Sequence, residues 1–251
     1  MIKNNKIKYS IVIPCYNESG NLDSLINMCK INLCNNNIEV ILIDNGSTDK
    51  SDEKLSKIKN DDNTFLKTFK IKQNIGYGNG IIYGLTKCKG EFIGWTHADL
   101  QTDPIDVFNG FKKIENKKDF IKGKRRGRSF FDIFFSIGMS FFESILLNKF
   151  FWDINGQPTL FHRDLFLNWK NAPNDFSLDL FAYYMAKINN YHIKRINVDF
   201  PDRKFGVSSW NNSFTSKIKL IIRTLKFSFE LRKRIKFKDY YENNLAKNNK
   251  D

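Results

Sequence analysis

The chain has 251 residues, 41% of them hydrophobic, and a formal net charge of +14. This length allows one large α/β domain with a tail, and the charge indicates a polyanionic partner such as nucleic acid, an anionic membrane or a phosphorylated substrate. Four cysteines without paired spacing argue against a zinc site or a disulfide framework and favour a reducing cytosol. The lysine-rich residues 1–8 lack the apolar core of a signal peptide, and no uncharged apolar stretch reaches about 18 residues, so we expect neither export nor a membrane span.

Short apolar runs alternate with helical patterns in the first half of the chain. The predicted strands cover residues 8–13, 38–43, 65–71 and 92–95. Helix starts are predicted after Ser19, after residues 47–49 and at Asp103-Pro104. This alternation predicts an α/β fold whose central sheet is mostly parallel, lies within residues 8–122 and carries helices on both faces.

Two amphipathic helical patterns follow in the second half. Residues 130–152 are rich in phenylalanine, with a polar stripe of Asp132, Ser136, Ser140 and Glu143 at helical spacing. This segment is either a core helix on the sheet or a helix lying partly in a lipid interface. Residues 214–238 combine an apolar face with a basic face, which suits an anionic membrane surface, a partner groove or packing against the domain.

A polar turn after the strand at residues 92–95 predicts a cation site. Ligands bind open α/β sheets at the carboxyl ends of strands, and alternate side chains of an extended chain point the same way. His97, Asp99 and Gln101 are therefore predicted to converge. One carboxylate with phosphate oxygens suits Mg²⁺, and an imidazole shifts the preference towards Mn²⁺. The alternative is that Asp99 caps the helix beginning near Pro104.

The turns after the first two strands belong to the same edge of the predicted sheet. Glu18, Asp44 and Asn45 supply acceptors for the donor groups of a nucleobase or a ribose, although each is also an ordinary turn residue. The loop at residues 74–80 places glycines where the backbone must approach a ligand or a neighbouring element closely.

The order of these motifs resembles that of family 2 glycosyltransferases. The matching segments are residues 11–18, 44–49, 74–80 and 98–104, and the resemblance covers roughly residues 7–211. The branch it is most similar to contains dolichyl-phosphate mannose synthase and bacterial polyprenyl-phosphate glycosyltransferases. The resemblance implies a GT-A fold that binds a UDP or GDP sugar and a divalent cation, Mg²⁺ or Mn²⁺, and transfers the sugar with inversion.

The resemblance also implies roles for single residues. The family carries Asp-x-Asp-x-Gln at the metal; here His97 replaces the first Asp, while Asp99 and Gln101 match. Asn45 stands where many relatives have a second acid. The residues that match the nucleotide-sugar pocket are Pro14, Tyr16, Glu18, Asp44, Asn45, Asn74, Gly76, Ala98 and Asp99.

The acceptor side is implied by basic segments in the second half. Residues 123–125, 155–163 and 203–208 match the family's pattern, and arginine forks bind phosphate oxygens bidentately. Asp99, Arg125, Arg163 and Arg203 are the candidate catalytic residues. The candidate acceptor-phosphate ligands are Lys122, Arg125, Arg128, Arg163, Arg203 and Ser208. Alternatively, residues 122–128 form only a solvated basic loop.

The expected protein is a metal-dependent hexosyltransferase at the cytoplasmic face of a membrane. Residues 1–211 would form the catalytic domain, with a nucleotide-sugar half at 7–122 and an acceptor half at 123–211, and residues 212–251 a basic helical tail. Its expected partners are a nucleotide sugar, a polyprenyl phosphate and an anionic membrane, contacted through residues 130–152 and 214–238. A homo-oligomer or a membrane-protein partner stays open.

Three rivals remain at the level of sequence. One is a glycosyltransferase acting on a glycan hydroxyl in surface polysaccharide synthesis, which would need a carboxylate base such as Asp175 or Asp179. Another is a nucleic-acid-binding protein, although no nucleic-acid module is visible and we expect no such partner. The third is an inactive scaffold that has lost its metal chemistry through His97.

Overall fold

One mixed sheet organises the protein. The computed structural model describes residues 7–34, 37–58, 65–201 and 221–234. Within them, seven strands pair in the order β3-β2-β1-β4-β6-β5-β7. The strands are β1 Tyr9–Cys15, β2 Ile38–Asn45, β3 Leu66–Ile71, β4 Phe92–Trp95, β5 Asp119–Arg126, β6 Thr159–His162 and β7 His192–Asp199. All neighbouring pairs are parallel except β4–β6 and β5–β6.

Helices connect the strands. They are α1 Leu22–Leu33, α2 Ser51–Ser56, α3 Tyr77–Lys87, α4 Pro104–Lys112, α5 Phe130–Leu146, α6 Arg163–Leu167 and α7 Leu178–Ile188, followed by the helical residues 221–234, here α8. Parallel neighbours such as β1 and β2 require a crossover connection, which α1 provides.

The central strands are covered on both faces. Ile11, Val12 and Ile13 of β1 have no exposed surface, and every residue of β2 is buried. Near-continuous apolar runs of this kind are typical of parallel strands between helical layers. The main core packs α1 and α4 against the sheet through residues such as Leu25 and Val107.

The structure confirms the predicted α/β class with a mostly parallel sheet, but the sheet is larger than residues 8–122. β6 and β7 also join it. β6 has only four residues, directly after Pro158, so its sequence looks like a loop. β7 is an edge strand that carries His192, Lys194 and Arg195 among partly exposed side chains. These polar residues interrupt the apolar alternation by which a strand is recognised in a sequence.

The chain divides into two compact units. Unit 1 comprises Met1–Ile133 and Asp153–Gly206, and unit 2 comprises Phe134–Trp152 and Val207–Asp251. The sheet lies in unit 1, and most of α5 lies with α8 in unit 2. The predicted domain boundaries at residues 122 and 211 stay predictions, and the second lies outside the described residues.

Helix α5 buries polar groups and exposes apolar ones, whereas α8 buries Phe227 and Leu231 together with Ser228. Ser140 and Glu143 of α5 are buried, and Ser228 Oγ of α8 donates a hydrogen bond to Glu143 Oε1 at 2.6 Å. The outer side of α5 shows large apolar residues, namely Phe130, Phe131, Phe134, Phe135, Phe141 and Ile145, each more than 60% exposed. The core-helix interpretation of residues 130–152 is therefore not supported. Among the described residues, none of the helices combines the length and apolarity needed to cross a membrane.

Candidate active site

The carboxyl edge of the sheet collects the turns that the sequence singled out. β1 is the parallel neighbour of β2 and of β4. Because β6 runs antiparallel to both β4 and β5, those two strands also point the same way. The turns after β1, β2, β4 and β5 therefore open at one edge, where open α/β sheets bind ligands.

Hydrogen bonds hold the turns after β1 and β2 together. Asn17 N donates to Ser47 Oγ at 3.1 Å, and Thr48 N donates to the side-chain oxygen of Asn17 at 2.8 Å. Glu18 N donates to Ser51 Oγ at 2.9 Å. These two turns form one continuous wall of the edge, as the sequence predicts.

Asp44 presents a buried acceptor at this wall. The residue is 2% exposed, and its Oδ1 accepts a hydrogen bond from Ser47 N at 2.9 Å. Its Oδ2 is buried and has no hydrogen-bond partner among the described residues. A buried carboxylate oxygen without a partner is costly. The position therefore suits a ligand with an N–H or O–H donor, such as a nucleobase or a ribose.

Three further pocket candidates flank Asp44. Tyr16 is exposed and Pro14 is half-buried at the end of β1. The Glu18 carboxylate accepts from Asn21 Nδ2 at 2.6 Å, so it also supports the start of α1. Each of these residues therefore remains at the rim of the edge, where a ligand can reach it.

The glycines of residues 74–80 accommodate a neighbouring segment of the chain. A Cβ atom on Gly76 would lie 2.2 Å from Asn174 O, and one on Gly78 would lie 2.6 Å from Pro173 O. Asn74 Oδ1 accepts from Gly76 N at 2.9 Å, and Asn45 Nδ2 donates to Gly76 O at 3.0 Å. Of the two interpretations of these glycines, close approach of a neighbouring element is the one that the structure shows.

The turn after β4 bends where extended chain was expected. Leu100 has a φ of +57°, in the left-handed region, so strand alternation does not continue through the turn. Asp99 Oδ1 accepts from Gln101 N at 3.1 Å, while Gln101 Nε2 donates to Pro201 O at 3.0 Å. The alternation argument is therefore wrong as a reason for the convergence of His97, Asp99 and Gln101, because Leu100 interrupts the extended chain between the last two; their role as metal ligands stays a prediction.

Asp99 is not the cap of α4. That role belongs to Asp103, whose Oδ1 accepts from Ile105 N at 2.8 Å immediately before Pro104. Asp99 is 4% exposed beside Ala98, which is buried in the core. The capping interpretation of Asp99 is therefore wrong, and the buried carboxylate requires another reason.

Aromatic rings pack beside the Asp99 turn. The His97 ring lies 5.6 Å from the Tyr77 ring, which stacks on Phe176 at 4.6 Å. Burial raises the pKa of Tyr77, and the carboxylates of Asp179 and Asp99 raise it further. Tyr77 thus lies in the electrostatic field of both carboxylates.

The donor groups at this turn fit a divalent cation only in part. Asp99 supplies a carboxylate and His97 an imidazole, and the described residues contain no group of three or more His, Cys, Asp or Glu side chains arranged for a metal. Mg²⁺ is usually held by one or two carboxylates together with substrate phosphates. The residues present fit a cation whose remaining ligands come from a diphosphate.

Two candidate acceptor arginines share one carboxylate at the end of β5. Arg125 Nε and Nη2 donate to Asp153 Oδ1 at 2.9 and 2.5 Å, and Arg125 N donates to Oδ2 at 2.9 Å. Arg128 Nη2 lies 3.6 Å from the same Oδ1. These partners show that the basic segment is a structured cluster and not merely a solvated loop.

Lys122 occupies the protein interior. It has no exposed surface, and its Nζ donates to Thr159 Oγ1 at 2.8 Å and to Asp179 Oδ1 at 3.1 Å. Gln157 Nε2 also donates to Asp179 Oδ1, at 2.5 Å. Burial lowers the pKa of Lys122 to about 8, although Asp179 opposes the shift. The structure does not bring Lys122 to a surface where a phosphate could contact it.

Arg163 lies at the opposite edge of the sheet. It follows β6, whose antiparallel course ends beside the start of β4, and Arg163 N donates to Glu91 O at 2.9 Å. Its guanidinium donates to Cys88 O. Assigning Arg163 to the acceptor site is therefore wrong, because the match to the motif ignored the direction of β6. Arg203 and Ser208 lie outside the described residues.

Two functional candidates were missing from the predicted site. Asp153 binds the arginines, and Tyr77 packs on His97. No sequence signal marks Asp153, since its partners precede it by 25 residues or more and are brought close only by the fold. Tyr77 lies within the glycine loop at residues 74–80, so its nearness to the site could have been inferred from the motif.

Comparison with known proteins identifies the family. The model of the family described as "Glycosyl transferase family 2" matches residues 10–181. The chain belongs to this family. The match contains the turns with Asp44 and Asp99, the arginine cluster and Asp153, and ends before Arg203 and Ser208. Every described residue discussed at the carboxyl edge of the sheet, apart from Pro201, thus falls within the family 2 region.

Curated relatives in the family cover only part of the chain. Undecaprenyl-phosphate 4-deoxy-4-formamido-L-arabinose transferase from Yersinia pestis strain Pestoides F is 36% identical over 104 residues, 40% of this chain and 31% of the relative. The protein of the same name from Yersinia pestis bv. Antiqua strain Angola is 38% identical over the same shares. The matches thus span less than a third of the length of these relatives.

Solved structures support the family's fold. Glucosyl-3-phosphoglycerate synthase from Mycobacterium tuberculosis, in complex with phosphoglyceric acid, superposes with a TM-score of 0.69 at 15% identity, covering 90% of this chain and 79% of that chain. A mannosyltransferase from Pyrobaculum calidifontis, in complex with GDP-Man and Mn²⁺, gives 0.58 at 17% identity, covering 79% and 58%. At such identities the likeness shows the fold alone.

Proposed function

We propose that the protein transfers a sugar, with inversion, from a UDP or GDP sugar to a polyprenyl phosphate at the cytoplasmic face of a membrane. The undecaprenyl-phosphate transferases among the relatives support the acceptor class, and the solved structures in complex with uridine diphosphate or GDP-Man and Mn²⁺ support a nucleotide-sugar donor and a divalent cation. The buried Asp44 acceptor and the Asp99 turn lie at the strand edge that such a donor requires.

The observation that carries this proposal is the exposed phenylalanine face of α5. Its first residues, Phe130 and Phe131, are 78% and 73% exposed and follow Arg128 directly along the chain. A water-soluble surface rarely carries a contiguous patch of this kind without a partner. Basic residues that directly precede an apolar helix along the chain suit a lipid whose phosphate is attached to its hydrocarbon chain.

The buried position of Asp179 argues against its use as a base, although the other candidate, Asp175, is only half-buried. A glycan hydroxyl must lose a proton during attack, so a carboxylate has to reach it. Asp179 is 1% exposed and is engaged by Lys122 and Gln157. The attacking oxygen of a phosphate monoester is already anionic at neutral pH, so it requires positioning and charge neutralisation only.

The roles of the residues follow from their places. Asp44 would bind the base or the ribose, while Asp99 and His97 would hold the cation with the donor diphosphate. A bound cation would stabilise the charge that develops on the departing nucleoside diphosphate. Arg125 and Arg128 would hold the acceptor phosphate facing the anomeric carbon.

A transfer assay tests the function. Purified full-length protein is incubated with UDP and GDP sugars, Mg²⁺ or Mn²⁺, and either a short-chain prenyl phosphate or an oligosaccharide. We expect sugar transfer to the prenyl phosphate only. Transfer to the oligosaccharide alone would replace the proposal with glycan extension, and no transfer to either would leave it without support.

Vesicle sedimentation tests the membrane surface. The double variant Phe134→Ser/Phe141→Ser should bind anionic vesicles at least about tenfold more weakly than the parent, because burial of each phenylalanine contributes roughly 1.5–3 kcal/mol. The matched control is Ile31→Ser/Leu167→Ser, which removes two equally exposed apolar side chains elsewhere. Equal loss in both double variants would contradict a specific role for α5.

A further inference from the structure

Two largely buried guanidiniums of the arginine cluster share the carboxylate of Asp153. The side chains of Arg125, Arg128 and Asp153 are 14%, 11% and 3% exposed, so all three groups are largely shielded from water. Both guanidiniums approach the same oxygen, Asp153 Oδ1. Two guanidiniums that converge on one point are suited to the oxygens of a phosphate monoester.

Asp153 is the group that allows two guanidiniums to lie so close together. Burial alone would raise the pKa of Asp153, but Arg125 and Arg128 lower it below its ordinary value. The carboxylate is therefore ionised at neutral pH. Without it, the two cations would repel each other in a poorly screened environment and would separate.

Asp153 occupies only part of the Arg125 guanidinium. It accepts from Nε and Nη2, and an arginine has five N–H donors. Three N–H groups of Arg125 are thus not engaged by Asp153. The carboxylate holds one edge of the guanidinium, and the N–H groups of the other edge can donate hydrogen bonds to a ligand.

The cluster is connected to the cation turn. The Arg125 guanidinium lies over the Phe200 ring, 5.2 Å from its centre, and Phe200 N donates to Arg126 O at 3.0 Å. The next residue, Pro201, accepts the hydrogen bond from Gln101 Nε2. Two consecutive residues after β7 thus contact both the arginine cluster and the Asp99 turn.

We propose that Asp153 is a positioning residue that holds Arg125 and Arg128 as a preassembled clamp for the phosphate group of the acceptor. This inference rests on the proposed function and adds the device that orients its acceptor. Asp153 does not contact the substrate. It orders the two side chains before the phosphate binds. The entropy cost of ordering them is therefore not subtracted from the free energy of binding.

Asp153→Asn is the informative variant. Asp153 has a φ of +42°, a conformation that asparagine tolerates better than most residues. The amide preserves the shape and removes the charge. The matched control is Asp119→Asn, because Asp119 is also buried and pairs with Lys194 at 3.0 Å, but lies at the opposite end of β5.

Calorimetry without the sugar donor measures the affinity for a short-chain prenyl phosphate. Steady-state kinetics measure the KM for the acceptor and the KM for the donor separately. Asp153→Asn should weaken acceptor binding and raise the acceptor KM by about tenfold, with the donor KM unchanged. In an Arg125→Ala background the same change should have little further effect, because the clamp is already broken. Asp119→Asn should lower thermal stability without moving the acceptor KM.

The contrary outcomes separate this inference from the function. If the parent transfers sugar to the prenyl phosphate but Asp153→Asn leaves its binding unchanged or tightens it, Asp153 is not a positioning residue although the function stands. A raised donor KM, or equal effects in Asp119→Asn, would indicate general disruption and overturn the inference. Absence of both binding and transfer in the parent protein would remove the function and the clamp together.

Discussion

Asp99 and Asp44 show how two carboxylates at one sheet edge acquire different tasks. Both are nearly buried and both accept a hydrogen bond from a nearby backbone N–H. Asp44 keeps an oxygen without a partner among the described residues, which suits a hydrogen-bond donor. Asp99 acts electrostatically on Tyr77, whose ring packs on the His97 ring. The difference comes from their neighbours, since the two side chains are chemically identical.

Replacing Asp99 should abolish most of the transfer activity. Asp99→Asn keeps the acceptor for Gln101 N but removes the charge, so we expect turnover to fall by about a hundredfold or more, as on loss of a key electrostatic group. Initial rates at saturating donor, with circular dichroism to verify folding, provide the measurement. Asp103→Asn retains a good helix cap and should keep its rate. Parental turnover in Asp99→Asn would exclude the residue from the site.

Asp44 should act on the donor alone. Asp44→Asn preserves the shape but replaces one of the two acceptor oxygens with a donor group, so the affinity for UDP or GDP should fall by about ten- to a hundredfold, the range for a hydrogen bond to a charged group. Calorimetry with each nucleotide measures this. Asp52→Asn, which removes an exposed partner of Lys70, serves as the control. Unchanged nucleotide affinity in Asp44→Asn would contradict the assignment.

At the scale of secondary-structure elements, the features that the sequence predicted are those set by local residue patterns. The first four strands and the start of α4 at Pro104 follow from apolar runs and turn chemistry, and all appear in the structure. The error at Arg163 has a different origin, because the direction of β6 is set by strand pairing far away in the sequence. The Asp153 cluster was missed for the same reason. Long-range pairing leaves no periodic signal in the segment that it fixes.

Helix α5 reverses ordinary amphipathic packing, because its buried residues are Ser140 and Glu143; α8 buries Phe227 and Leu231 together with Ser228. Their contact includes the Glu143–Ser228 hydrogen bond and the Phe142–Phe229 ring pair, with centroids 6.1 Å apart. Ser228 Oγ also lies 2.8 Å from Thr224 O. One hydroxyl proton cannot be donated to both acceptors. Glu143 and Thr224 O therefore compete for the Ser228 hydroxyl proton.

Glu143 should make stability depend on pH. Burial raises its pKa from 4.5 to about 7, while Ser228 partly opposes the shift. Between these values the folded protein holds more protons than the unfolded chain, so stability falls as pH rises from about 4.5 to 7. Glu143→Gln should remove this loss, on the order of 1–3 kcal/mol. Urea unfolding at pH 5 and pH 8 measures this change in stability, and Asp132→Asn, at an exposed position, is the control. If Glu143→Gln leaves the dependence of stability on pH unchanged, Glu143 is not its source.

At the scale of the whole molecule, the excess of basic residues and the exposed apolar face describe the same kind of partner. The chain carries 41 Lys and Arg residues against 27 Asp and Glu residues. Charge alone is equally compatible with RNA, which was a rival at the level of sequence. The phenylalanine face of α5 favours lipid, because a nucleic-acid backbone offers no apolar surface of comparable extent.

Binding to vesicles should therefore have two separable components. Raising the salt concentration should weaken attachment to anionic vesicles, because charge attraction near a membrane is screened within about 10 Å at 0.1 M salt. The residual binding at high salt should disappear in Phe134→Ser/Phe141→Ser. Sedimentation across a salt series, with neutral vesicles and RNA as competitors, measures both components. If RNA releases the protein from the anionic vesicles but added lipid vesicles do not, the result would favour nucleic acid as the partner.

The placement of β6 restricts how this protein can be divided or recombined. β6 comes late in the chain but lies between β4 and β5, so β5 meets strands β1 to β4 only through it. A fragment ending near residue 122 would leave its last strand without a neighbour. Gene fusions that exchange one half with a homologue should therefore fail to fold unless they carry residues 159–162 along, and engineering of new specificities has to work by substitution within the intact sheet.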